Sequence, residues 1–339
     1  MAPTFISDAD KNVFSSVVAL KSKNPTLKVM VSIGGWNFNN PGSGTETMFS
    51  QIAASSSLQG EFNSGAVKLL GQIQADGIDI DWEYPGDTTR GGSSADTKGL
   101  STWMSSLAQT LGSQHALSMT LPGATQRLAS FDLQSLSNSV SWFNIMSYDY
   151  AGTWDCSTNL GIQPHASLAS MKETITTLKQ SVSDFSKLVL GIPAYGRTYS
   201  LSSPSCNTLG CGCSGAGRAV GQNCAADAAL IGQGNIEQSR AAVNATSYIV
   251  YNGNSNLLNY AALEDVSDMI GFARLECLGG VMIWSLDGDS GHKLAQAWNE
   301  KGGGSGNGVL STANEHTTFY RHILVLVLAW YFIFTFNAA

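Results

Sequence analysis

The sequence predicts an α/β protein, a parallel barrel of the TIM (β/α)8 type with a small α+β insertion before its last strand. Three observations predict it. Apolar strand-like runs alternate with amphipathic helical stretches, polar or aromatic residues follow several strand ends, and one strand carries an acid at every second position. In a parallel barrel the strand ends collect on one face, so the acids, Trp36, Tyr148 and Trp284 are expected to meet there.

Taken in order, Asp8 to Ser22 spaces Val13, Phe14, Val17, Val18 and Leu20 as one helical face, and Asn24-Pro25 stops it. Leu27 to Ile33 reads as a strand running into Gly34, Gly35 and Trp36, where paired glycines let backbone approach a ligand closely. Next comes Asp76-Gly77-Ile78-Asp79-Ile80-Asp81-Trp82-Glu83-Tyr84-Pro85. Side chains alternate faces along a strand, so Asp79, Asp81 and Glu83 share one side while Ile78, Ile80 and Trp82 form an apolar side for helices to cover. Three acids so close cannot all stay ionised in a confined interior and titrate as a coupled set. An edge strand with a solvated acidic face is disfavoured by the bulky apolar side. A magnesium or calcium site is disfavoured because no further acid cluster or ligand-spaced His pair stands out; His115, His165 and His292 show no relay or ligand spacing.

Further strands are expected at Ala116 to Leu121, Trp142 to Tyr148, Leu188 to Pro193 and Val281 to Leu286, with helices such as Thr97 to Leu111 and Ser167 to Val182 between them. This makes six barrel strands where closure normally takes eight. The interval from Pro193 to Val281 is too long for one crossover helix, and it holds a cysteine cluster and the strand-like Ser247 to Tyr251. The expected division is therefore a barrel of residues 1–198 and 278–300, a Cys-rich insertion at 199–277, a Gly/Ser-rich linker at 301–316 and a hydrophobic tail at 317–339.

At 339 residues the chain can bury a large core, and a net charge of −7 without Lys/Arg runs argues against nucleic acid as a partner. Six cysteines fit neither zinc spacing nor a redox motif; Cys206, Cys211, Cys213 and Cys224 in a Gly-rich segment read as a disulfide-stapled loop in an oxidising compartment. The sequon Asn244-Ala245-Thr246 adds mild support for secretion, although Met1 to Asp10 lacks the pattern of a signal peptide. Ile323 to Phe336 is apolar but too short to span a bilayer as an ordinary helix. With the small residues and polar spacer before it, this run matches a glycosylphosphatidylinositol (GPI) attachment signal cleaved between Ser305 and Asn314, a short membrane tail or a misread coding end being the alternatives. The expected location is secreted or at the cell surface or wall.

The motif from Asp76 to Glu83 resembles the D-x-x-D-x-D-x-E motif of glycoside hydrolase family 18, the chitinases. Four more motifs resemble that family in its order: Ser32-Ile33-Gly34-Gly35-Trp36, Met146-Ser147-Tyr148-Asp149, Gly191 to Arg197, and Gly280 to Ser285. The resemblance runs from about Val13 to Trp298, and Asn39-Asn40-Pro41, Arg90-Gly91-Gly92 and the Cys206 to Cys224 region are similar to the fungal class V type. It implies a retaining hydrolase of β-1,4-linked N-acetylglucosamine, acting without a protein nucleophile and without cofactor or metal. By resemblance Glu83 is the general acid, Asp81 orients the substrate's acetamido group, Asp79 shares a proton with Asp81, and Tyr148 hydrogen-bonds the acetamido oxygen. Gly34, Gly35, Trp36, Tyr84, Met146, Asp149, Tyr195, Arg197 and Trp284 are implied to line the sugar site, Trp284 as its floor; Tyr195 and Arg197 could instead tie down the insertion. Asp76 is expected to hold the turn or a neighbouring strand and Trp82 to be core. The implied partners are chitin or chitooligosaccharides, met by a monomer with membrane attachment only through the tail. Against the family pattern, Gly123 to Arg127 replaces an aromatic segment, Tyr150-Ala151-Gly152 differs, and the first two barrel strands are missing before the first helix. The fold expected is thus a TIM barrel lacking its first two strands, and a chitin-binding, lectin-like protein without turnover is the rival function.

Overall fold

The computed structural model describes residues 2–3, 8–217, 237–241, 244–289 and 293–294. The linker and tail, with the expected GPI signal, and Cys224 lie outside them. No helix among the described residues is long and apolar enough to cross a membrane.

Helix α1 (Asp8–Ala19) is followed by β1 (Met30–Gly34), α2 (Met48–Ala54), α3 (Ser56–Ile73), β2 (Gly77–Asp81), α4 (Asp96–Leu111) and β3 (Ala116–Pro122). Then come the short α5 (Thr125–Leu128) and α6 (Leu133–Ser137), β4 (Trp142–Met146), α7 (Leu168–Leu178) and β5 (Leu188–Pro193). Strands β6 (Arg197–Leu201), β7 (Cys213–Ala216), β8 (Glu237–Ala241), β9 (Thr246–Tyr251) and β10 (Asn256–Tyr260) precede α8 (Leu263–Leu275) and β11 (Gly280–Trp284). Six strands form one sheet in the order β1-β2-β3-β4-β5-β11, a partial barrel, and five form a second in the order β7-β6-β10-β9-β8. The six are those expected from sequence, with shifted ends. The first begins at Met30 rather than Leu27 because Asp76 Oδ2 accepts the Val29 N–H at 2.7 Å and the Asp76 N–H donates to Val29 O at 2.7 Å. The fourth stops at Met146, shortly before Asp149 takes a left-handed φ of 59°.

By their internal contacts the described residues form two compact units. The first comprises Met1–Ile145 and Thr177–Val189. Here β1, β2 and β3 pair in parallel, with Ser32 opposite Asp79 and Asp79 opposite Ser118. The apolar side of the acid strand is buried as predicted: Ile78, Ile80 and Trp82 are at most 1% exposed. Trp82 packs 5.5 Å from the Phe49 ring of α2, which lies 5.6 Å from Trp103 of α4, and Trp103 meets Phe62 of α3 edge-on at 5.0 Å. Leu100, Trp103, Met104, Leu107 and Leu111 make the helical stripe that seats α4 on this core.

The second unit comprises Met146–Thr176 and the described residues from Leu190 to Leu294, and contains the antiparallel sheet. Alternation gives that sheet two apolar faces, Tyr199, Leu201, Val250 and Leu257 on one and Ile249, Tyr251, Leu258 and Tyr260 on the other. Disulfides Cys156–Cys213 and Cys206–Cys211 staple the first face. Of these strands only Ser247 to Tyr251 was legible; β6 and β7 are short and polar, and carry no apolar run.

Candidate active site

The residues singled out from sequence fall into two sets, one in each unit. In the first unit, Asp79, Asp81 and Glu83 are 0%, 7% and 6% exposed, so three acids are buried along β2 and the two residues that follow it. Asp79 is ringed by donors: Ser32 Oγ at 2.8 Å, Ser118 Oγ at 2.7 Å, Thr120 Oγ1 at 3.0 Å and Asn144 Nδ2 at 3.0 Å. Burial raises its pKa and those four hydrogen bonds oppose the rise. Asp81 has less help, since its Oδ1 is buried with no hydrogen-bond partner. Burial first, then the neighbouring Glu83 and Asp79 carboxyls, push it well above the usual carboxylate range. The strand therefore holds protons in a shared system of acids at a pH where free carboxylates have lost theirs.

Gly34 and Gly35, with φ of 120° and 94°, make a close approach to Asp81 itself. The Gly35 N–H donates to Asp81 O at 2.8 Å, and a Cβ on Gly34 would sit 2.0 Å from that oxygen. Tyr84 is half-buried beneath the Arg127 guanidinium, 4.3 Å from its ring, and Arg127 also pairs with Asp87 at 2.9 Å. Burial, and then Glu83, drive the Tyr84 hydroxyl far above its ordinary pKa. Trp36 is 52% exposed, with the Arg90 guanidinium over its ring. Asp76 takes the role expected of it, accepting from Lys21 Nζ at 2.8 Å as well as from Val29.

In the second unit Asp149 is the hub. Its Oδ1 accepts from Tyr195 Oη and Arg197 Nε, each at 2.7 Å, and its Oδ2 lies 2.7 Å from Arg197 Nη2. Burial alone would raise its pKa, but neighbouring His165 and the Arg197 fork hold it well below the usual range. His165 is fully buried, its Nδ1 is 3.7 Å from Asp149 Oδ1, and burial lowers its pKa. Tyr148 is buried and meets Tyr195 edge-on at 5.9 Å. Met146 and Trp284 are half-buried, and Trp284 O accepts the Ala194 N–H at 2.7 Å. Arg197 also stacks 4.6 Å from the ring of Trp154.

Sequence reasoning left the Asp79 donors unassigned. Their signal was a polar residue inside an otherwise apolar strand: Ser32 in β1, Ser118 and Thr120 in β3, Asn144 in β4. It also gave no role to His165, or to Asn39 and Arg90 apart from their likeness to one family type. No group of three or more His, Cys, Asp or Glu among the described residues is arranged to hold a metal ion.

A family model described as "Glycosyl hydrolases family 18" matches residues 3–289. Chitinase A1 of Niallia circulans is 28% identical over 314 residues, covering 81% of this chain and 42% of that protein. Endochitinase 1 of Metarhizium robertsii is 26% identical over 298 residues, covering 84% of this chain and 67% of that protein. The chain thus spans less than half the length of one of these relatives and about two thirds of the other. A class V chitinase from Nicotiana tobaccum, solved as a mutant in complex with NAG4, superposes with a TM-score of 0.77 at 23% identity and 88% coverage of both chains, which shows the barrel fold. With a match that takes in both its acid strand and its Asp149 cluster, the chain belongs to family 18 of the glycosyl hydrolases.

Proposed function

We propose that the chain is a chitinase, hydrolysing β-1,4 linkages between N-acetylglucosamine units by substrate-assisted, retaining catalysis. The observation that carries this reading is the buried row Asp79-Asp81-Glu83, with Asp81 pushed up in pKa between two other acids. Family membership and relatives named chitinase support it. Glu83 gives its proton to the glycosidic oxygen as the bond to the anomeric carbon breaks. The carbonyl oxygen of the substrate's own acetamido group attacks that carbon, Asp81 stabilising the positive charge on the acetamido nitrogen and Asp79 sharing the proton that Asp81 exchanges. Glu83 then takes a proton from water, which opens the oxazolinium ion with retained configuration. Tyr148 hydrogen-bonds the acetamido oxygen, and Asp149, Tyr195, Arg197 and Trp284 bind sugar. Asn39-Asn40-Pro41 and Arg90-Gly91-Gly92 support placement in the fungal class V type. Two disulfides support secretion or a cell-surface location.

The test is hydrolysis of a short chitin oligosaccharide by the full chain beside Glu83→Gln, with binding followed in parallel. Loss of about 10²-fold or more of the rate in the variant, with binding kept, is the expected result. Binding without cleavage by the unaltered chain would remove the enzymatic reading.

A further inference from the structure

Strand β2 ends at Asp81, so Glu83 lies two residues beyond the ladder and must find other partners for its backbone. It finds them in side chains. The Glu83 N–H donates to Asn39 Oδ1 at 3.3 Å, and Glu83 O accepts from Arg90 Nε at 2.6 Å. Arg90 spends its other donors on Asn40 Oδ1, at 2.9 Å from Nη1, and on Trp36 O, reached by Nη2. Its guanidinium carbon lies 3.7 Å from the centroid of the Trp36 ring. Asn39 is anchored in turn, its Nδ2 donating to Glu46 O at 3.0 Å.

Arg90 is only 6% exposed, and no carboxylate among the described residues lies within ion-pair distance of it. Burial lowers the pKa of the guanidinium and outweighs the attraction of Glu83 and Asp87, which act on it only from beyond that distance, so charge pairing alone does not account for it. A guanidinium here therefore calls for its geometry. Only a planar fork reaches two backbone carbonyls and an amide oxygen while laying its face on an indole. One carbonyl belongs to Glu83, the proposed general acid, and the other to Trp36, an exposed aromatic that the family resemblance implies in the sugar site.

We infer that Arg90 is a positioning residue for Glu83, a strut that fixes the backbone of the general acid to the loop carrying Trp36. Sugar stacked on the open part of Trp36 then bears, through Arg90, on where the Glu83 carboxyl points. The inference rests on the proposed role of Glu83.

The test compares the unaltered full chain with Arg90→Lys, Arg90→Ala and Glu83→Gln on a fluorogenic N-acetylchitooligosaccharide, with thermal melting as the check on folding. Displacing a reacting group by about an ångström costs on the order of 10²-fold in rate, so Arg90→Lys is expected to lose kcat on that scale at little changed KM. Ethylguanidinium is expected to restore part of the kcat of Arg90→Ala and none of that of Glu83→Gln. Hydrogen exchange at the Glu83 amide is expected to speed up in both Arg90 variants, whether or not the chain turns substrate over. Unchanged kcat and exchange would overturn the inference, as would a loss that follows melting and resists guanidinium. Absent turnover in the unaltered chain would remove the chitinase reading instead, and the amide exchange alone would then decide whether Arg90 holds Glu83.

Discussion

Asp79 and Asp149 are carboxyl groups held by opposite kinds of neighbour. Asp79 faces three hydroxyls and an amide, and a hydroxyl can turn to accept as readily as to donate, so this seat accommodates a carboxylate or a carboxylic acid. Asp149 faces a guanidinium fork, which accepts nothing and fixes the charge. The first kind of seat suits a group that exchanges protons during a reaction, the second one that orients. Gly34 carries a different constraint, a backbone approach so close that any β-carbon collides with Asp81 O. With a φ of 120° as well, Gly34→Ala is expected to cost on the order of 3–5 kcal/mol, read as a fall in the urea midpoint. A midpoint within experimental error of the unaltered chain would contradict the close approach. The paired glycines read in sequence as letting backbone approach a ligand, whereas the close approach seen is to the Asp81 backbone, because sequence does not say what lies across from them.

Among the elements, β2 was the most legible, since its alternation of acids with Ile78, Ile80 and Trp82 is a strong period-two signal with only one comfortable orientation. The antiparallel sheet was the least. Its strands β6 and β7 are held by pairing and by disulfides rather than by an apolar run, and disulfide partners cannot be read from cysteine positions. The two disulfides close loops of very different size, 57 and 5 residues apart in sequence. On the chain-entropy account their loss costs about 4 and about 2 kcal/mol respectively. Removal of Cys156 and Cys213 together should therefore lower the urea midpoint more than removal of Cys206 and Cys211. The reverse order would mean that local strain, and not loop closure, governs this face.

For the whole molecule, the acids shifted by their surroundings set two opposing dependences of stability on pH. Asp76, Asp87 and Asp149 have lowered pKa values when folded, so the stability they supply is present above about pH 4 and is lost as the solution is acidified. Asp79 and Asp81 are raised when folded. Their contribution is full below about pH 4 and declines as pH climbs toward their folded values, because the unfolded chain gives up those protons first. Asp81→Asn should flatten the decline of Tm as pH rises above about 4, while the proposed hydrolysis is lost; an unchanged slope would show that Asp81 titrates normally. The fold class and the six barrel strands could be read from the sequence, whereas the division into two units could not, since no change of composition falls within β4 or β5. The placement of unneutralised carboxyl groups on an interior strand also sets heat resistance against turnover. Variants of this chain chosen only for surviving high temperature would tend to replace Asp81 first, and the hardiest of them would have lost the hydrolysis proposed above.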